Sequence, residues 1–273
     1  MGYCNDFPEL TEHIAFVKKY APWYDFLQFN GFSFRSEQEI REILSAIKES
    51  GIRLIDLTFY GTREYHDRFA GRQGDFEFLL RILKIAQETN LSVVVSIALT
   101  EENKDQMQAL FEVLDQYKIK QYTVFLPHAK GRGERISHLR LTKDSYQKLP
   151  QVVRDNFMRI PHQTEAQWIS QGSFPKATKR ALTLALREEN IDRLEKMAPA
   201  DIIAQLERID DAYYAAMPTM EELAALYGRP DNQQLFRLRD LYLEWQKRYL
   251  REQPITVPDM NDECNSFSVR YYE

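Results

Sequence analysis

Between Gly61 and Gly74 the chain crowds Arg63, Glu64, His66, Asp67, Arg68 and Arg72 into one short stretch. That stretch directly follows an apolar run of strand length, Leu54 to Tyr60, rich in β-forming residues, with Gly61 where a strand would have to turn. In βα proteins the loop leaving the carboxyl end of a strand is where ligands bind. The same residue types also make an ordinary solvated loop of ion pairs, and both readings stay open on composition. Other chemistry is sparse. The five histidines (His13, His66, His128, His138, His162) are scattered and form no HExxH pair. Cys4 and Cys264 lie near opposite ends, which excludes a disulfide framework and any CxxC or Cys/His zinc spacing. GxSxG, GxxxxGK[ST] and GxGxxG are all absent. No catalytic residue can be named from these residues, and no metal site is expected.

The elements that would carry these groups follow from periodicity. Residues 9–20 place Leu10, Ile14, Phe16, Val17 and Tyr20 at helical spacing, and Pro22 ends that helix. A short strand is predicted over Tyr24–Phe29, with Asn30-Gly31 as its turn. Ser36 and Glu39 form a capping box for a helix through Ile40, Ile43, Leu44 and Ile47, which Gly51 closes. Ile52–Tyr60 is the next strand. Asp75 is placed as the cap of a helix over Phe76–Thr89. Leu91–Leu99, LSVVVSIAL, reads as a strand buried on both faces of a parallel sheet. Thr100-Glu101-Glu102-Asn103 leads into a helix through Met107 and Leu114, and Gln121–Leu126 is a fourth strand with the exit loop Pro127–Glu134.

Four strands alternating with helices over so short a length signal βα units and a parallel sheet, either a barrel or an open doubly wound sheet. A full eight-stranded barrel needs roughly 200 residues or more, so a half barrel is the expectation. Beyond Glu134 the pattern changes. His138–Thr142 reads as a last strand or a connector, Asp144–Asn156 as helix and Arg159–Pro175 as irregular. Arg180–Arg187 fits strand or helix. Four helices are expected over Glu189–Met197, Ala200–Met217, Met220–Tyr227 and Asn232–Gln253, followed by a polar tail from Pro254.

With 44% apolar and 28% charged residues, the 273-residue chain can bury a substantial core. A net charge of −5 with interleaved signs and no basic block gives no reason to expect a nucleic-acid partner. No apolar run reaches membrane-spanning length and the first residues lack a signal pattern, so no membrane partner and a cytoplasmic location are expected.

Read in order, several of these pieces resemble the core domain of the radical S-adenosylmethionine (SAM) superfamily. Leu57-Thr58-Phe59-Tyr60-Gly61, then His66-Asp67-Arg68-Phe69, Gly71, Gly74 and Phe76, then Thr100-Glu101-Glu102-Asn103, is similar to a strand ending "slyG" followed by "e-HD-rf-G--g-f" and "T-eN". Phe29-Asn30-Gly31 is similar to the family's "TNG", Gly131-Arg132-Gly133-Glu134 to its "GRG/GRA" element, and Met1-Gly2-Tyr3 with Pro8-Glu9-Leu10 to a degenerate "GGEP…hPeL". The resemblance implies an incomplete parallel (β/α) barrel over residues 1–142 and a helix-rich extension over 143–273.

It also implies SAM at the carboxyl ends of the strands, with Asn30, Thr58, Ser96, Gly131 and Gly133 as cofactor-binding positions. Asn30 would hydrogen-bond a ribose or carboxylate, or else serve as an αL turn residue beside Gly31. Ser96 needs a partner in its apolar strand, either the ligand's carboxylate or ribose or a backbone carbonyl. Gly131 and Gly133 would admit an adenine, or form a plain loop. His66 and Asp67 are expected to shape their loop.

One departure dominates. The family holds a [4Fe–4S] cluster with CxxxCxxC, and no such motif occurs in this sequence. The start aligns about where the family's second strand would end. The expectation is therefore a truncated or degenerate radical SAM protein that binds no cluster and does not cleave SAM. The alternatives are a binding or scaffold protein holding a peptide or small molecule in the half-barrel groove, or an enzyme using a carboxylate. The substrate is not legible. A second copy of the chain is one way to cover the exposed sheet edge.

Overall fold

Helices in this chain begin where the sequence supplies a cap. Ser36 accepts from the Glu39 amide while the Glu39 carboxylate accepts the Ser36 N–H at 2.8 Å, a reciprocal capping box that opens α2 (Glu37–Glu49). One stripe of α2, Ile40, Leu44 and Ile47, is fully buried. The computed structural model describes Asp6, residues 8–128, 131–172, Phe174, Leu184, Leu186 and residues 188–253. Cys4, Cys264, the segment Arg180–Arg187 apart from its two named leucines, and the tail from Pro254 lie outside the described residues. The chain divides into two compact units.

The first unit runs to Pro127 and takes in Ser137–Leu141 and Ser145–Met158. Its order is α1 (Leu10–Tyr20), β1 (Phe26–Gln28), α2, β2 (Leu54–Phe59), α3 (Arg63–Ala70), α4 (Asp75–Glu88), β3 (Ser92–Ala98), a 3-10 turn, α5 (Met107–Leu114) and β4 (Gln121–Phe125). The four strands are parallel and lie in the order β1-β2-β3-β4. Sequential order with right-handed crossovers puts the connecting helices on one face of the sheet. Burial agrees: Ile55, Leu57, Phe59, Val93, Val95 and Ile97 are at most 2% exposed.

That one-sided cover corrects the expectation that Leu91–Leu99 is buried on both faces. Its other face alternates, with Ser92 exposed and Val94 and Ser96 half-buried. The fold is thus α/β with a singly wound parallel sheet, which is consistent with half of a barrel; the sheet itself stays open.

Other boundaries also move. The expected strand Tyr24–Phe29 shortens to Phe26–Gln28, its pairing span with β2. Most of the polar stretch after Gly61 is a helix, α3, and not a loop; Arg72 lies in the turn that follows it. Asp75 is the first residue of α4 while Gly74, at φ 83°, takes the cap position. Carboxylate capping comes instead from Asp67, which accepts the Gly74 and Phe76 amides at 2.7 and 2.9 Å.

After β4 comes a 3-10 segment, Gly131–Leu139, which takes in the first two residues of the expected strand or connector His138–Thr142. Thr142 forms an isolated antiparallel bridge with Gln234, and α6 (Lys143–Lys148) and α7 (Gln151–Asp155) follow. The second unit contains β5 (Gln163–Thr164), α8 (Glu165–Ser170), α9 (Glu188–Leu194), α10 (Pro199–Ala216), α11 (Met220–Tyr227), β6 (Leu235–Phe236) and α12 (Leu238–Glu252). The segment expected to be irregular, Arg159–Pro175, therefore supplies both a strand and a helix. β5 pairs with β6 in antiparallel fashion, over two residues each, too short to show in any period. Trp168, Leu223, Phe236, Leu241 and Trp245 centre this unit's core. Glu165, 0% exposed, accepts Trp245 Nε1–H at 2.8 Å and Asn232 Nδ2–H at 2.9 Å.

Candidate functional site

Since successive side chains alternate across a strand, residues in register share a face. On the sheet face away from the first unit's helices two polar rows result. Gln28 pairs with Asp56, Asp56 with Val94, and Val94 with Gln121; one pleat nearer the carboxyl ends Thr58 pairs with Ser96 and Ser96 with Thr123. Asn30, two residues beyond β1, extends the upper row: its Oδ1 accepts the Thr58 N–H at 3.1 Å.

The expected cofactor-binding positions Asn30, Thr58 and Ser96 are thus brought together. Asn30 is not the αL residue of its turn, because Gly31 takes that conformation at φ 71°. Ser96 donates its Oγ–H to Asp56 Oδ1 at 2.8 Å, in place of the anticipated backbone carbonyl. Gly131 and Gly133 belong to the second unit, at the start of the 3-10 segment. A Cβ on Gly133 would collide with the His128 carbonyl oxygen, so local packing already requires glycine there.

Asp56 is the residue that sequence reading missed. It is 4% exposed, and burial pushes its carboxyl above the ordinary 3.8, opposed by hydrogen bonds from Ser96 and Gln28. The signal was available: a lone carboxylate two residues before Thr58, and so on the same face, in an otherwise apolar run.

A buried knot holds the rim above these rows. Asn103, 1% exposed, accepts the Thr100 N–H at 2.7 Å and donates Nδ2–H to the Tyr60 and Ala98 carbonyls at 2.6 and 2.7 Å. It ties the exit of β2 to the exit of β3. His66, fully buried, accepts the Tyr60 N–H on Nδ1 at 3.2 Å, which leaves Nε2–H to donate to Asp75 at 3.1 Å. Gln106 Oε1 accepts the Thr62 N–H at 3.1 Å and its hydroxyl at 2.7 Å. Gly61 sits at φ 150°, a backbone conformation that favours glycine, and a Cβ there would stand 2.9 Å from that same Oε1. Arg72 donates Nη1–H to the Phe32 carbonyl at 2.6 Å and lies 3.8 Å over the Phe34 ring, clamping the loop after Asn30. His66 and Asp67 therefore position the rim, as expected of them, through bonds to backbone amides.

The donor set does not fit a [4Fe–4S] cluster. Such a cluster takes three thiolates in its family motif, and the sequence holds two cysteines 260 positions apart, Cys4 and Cys264. Among the described residues no three His, Cys, Asp or Glu side chains converge as metal ligands. The described residues include no helix long and apolar enough to cross a membrane.

No protein-family model matches the chain. A Fe-coproporphyrin III synthase from Methanosarcina barkeri is 24% identical over 120 residues, 44% of this chain and 30% of that protein. The chain thus spans under a third of that relative's length. The match supports a relation to the radical SAM superfamily at most.

Proposed function

We propose that the polar face of the first unit is the ligand-binding surface of a radical SAM-related protein, and that the class of molecule it takes is S-adenosylmethionine or a close analogue. The observation that carries this reading is the double polar row, Gln28, Asp56, Asn30, Thr58, Ser96 and Thr123, on the one face of a singly wound parallel sheet that its own helices leave uncovered. Hydroxyl and amide groups at strand carboxyl ends suit a ribose and an amino-acid moiety, and this is the end of a parallel sheet where ligands collect. The distant radical SAM relative points the same way. Since the 273 residues lack the thiolates for a cluster, this stretch of chain acts by binding and does not itself cleave SAM.

The test is calorimetric titration of the purified protein with SAM, run beside anaerobic reconstitution with iron and sulfide. Saturable one-to-one binding with less than about one iron per chain is the expected result. No binding, or close to four irons per chain with formation of 5′-deoxyadenosine, would overturn the reading.

A further inference from the structure

The polar face carries a carboxylate that no described residue of its own unit neutralises. Asp56 is 4% exposed, yet its partners are the neutral Ser96, through an Oγ–H bond of 2.8 Å, and the neutral amide of Gln28. From β1 it is faced by Gln28 and from β3 by Val94 and Ser96, none of which titrates. Among the described residues no cation forms an ion pair with it, and no charged side chain contributes to its environment. Its carboxyl is correspondingly pushed up by burial. Removing a charge from water without a counter-charge lowers stability, and such a residue at a ligand face marks an interaction completed by something else. Of the other buried carboxylates, Asp240 has the Arg237 guanidinium against it at 2.9 Å, and Asp67 takes two backbone amides at 2.7 and 2.9 Å.

We infer that Asp56 is the counter-charge for a cationic ligand group, a sulfonium or ammonium, bound on the polar face, and that it selects positively charged small molecules there. This rests on the reading of that face as the SAM site. SAM brings both groups within one molecule, and the row of Thr58, Ser96 and Asn30 one pleat above would take its uncharged parts. Asp56 then stands as a specificity residue that keeps Ser96 oriented and supplies the charge.

Titration with SAM and with adenosine, at constant ionic strength, tests this on wild type and on Asp56→Asn. Asparagine keeps the acceptor for Ser96 and removes the charge. Wild type should bind SAM, and Asp56→Asn should bind it at least ~10-fold more weakly, the size of one charge-assisted contact, with adenosine unchanged. In wild type, SAM affinity should also fall by up to about tenfold per unit as pH is lowered below the Asp56 pKa, which reports on the same carboxylate should the variant fail to fold. Equal SAM binding by both proteins, or a wild-type affinity flat from pH 7 to pH 4, overturns the inference and leaves the reading of the face standing. Wild type that binds no SAM removes both.

Discussion

Replacing Asn103 tests how the rim over the polar face is held. Its side chain is 1% exposed and makes three bonds, to Thr100 N–H, Tyr60 C=O and Ala98 C=O. Asn103→Ala deprives the Thr100 amide and the Ala98 carbonyl of a partner in a buried place. At about 1.5 kcal/mol for each, and nothing for Tyr60, which water reaches, the loss is about 3 kcal/mol. With a urea m-value of roughly 2 kcal/mol per molar, the midpoint should fall by about 1.5 M. Thr100 gives a local readout, since its amide hydrogen should lose roughly two orders of magnitude of exchange protection. Asn103→Asp separates hydrogen bonding from packing. It keeps the volume and the acceptor for Thr100 but turns an oxygen toward the Tyr60 and Ala98 carbonyls, so it should be no more stable than the alanine variant. Stability of Asn103→Asp within about 0.5 kcal/mol of wild type, the range of a harmless substitution, would refute this reasoning.

Three further outcomes follow from the same geometry. Asp67→Ala removes the acceptor for the Gly74 and Phe76 amides at the start of α4 and should lower stability by about 2 kcal/mol in urea titrations, with Asp67→Asn recovering part of it. Glu165→Ala leaves the indole N–H of Trp245, a residue 1% exposed, without its acceptor; a loss of about 3 kcal/mol is expected, visible as an earlier tryptophan-fluorescence transition. For Asp56 the folded-state pKa lies above the ordinary 3.8, so the native protein holds that proton to higher pH than the unfolded chain does. Its contribution to stability is fully present below the ordinary value and is lost as pH rises through the folded one. Asp56→Asn should therefore be more stable than wild type at pH 7, with the gap closing toward pH 4 in paired urea curves.

What could be read from the sequence, and what could not, divides by the range of the interactions involved. Ser36 and Glu39 announced α2 because a capping box is complete within four residues. The four parallel strands were legible because their apolar, β-forming runs and turn residues are local. The expectation of burial on both faces of β3 failed because Val94 differs from Val93 and Val95 only through where the crossover helices lie, which is a property of the whole sheet. Asp75 looked like a cap by type, but His66 engages it and Asp67 does the capping from the preceding helix. For Ser96 a backbone carbonyl was one expected partner, while its hydroxyl bonds a side chain on the neighbouring strand, 40 positions earlier at Asp56. Likewise the "T-eN" element resembled a family motif, yet what its asparagine does, joining Tyr60 to Ala98, needed the two exits side by side. In the second unit β5 and β6 exist only as each other's partners.

The most direct measurement is an amide-resolved map of where SAM acts, by exchange or chemical-shift perturbation on the purified protein. If the polar face is the ligand surface, addition of SAM should perturb Asn30, Thr58, Ser96 and Thr123 together, along with the Asn103 knot above them. Perturbations confined to the outer helical face of the sheet, or none at saturating SAM, would contradict it.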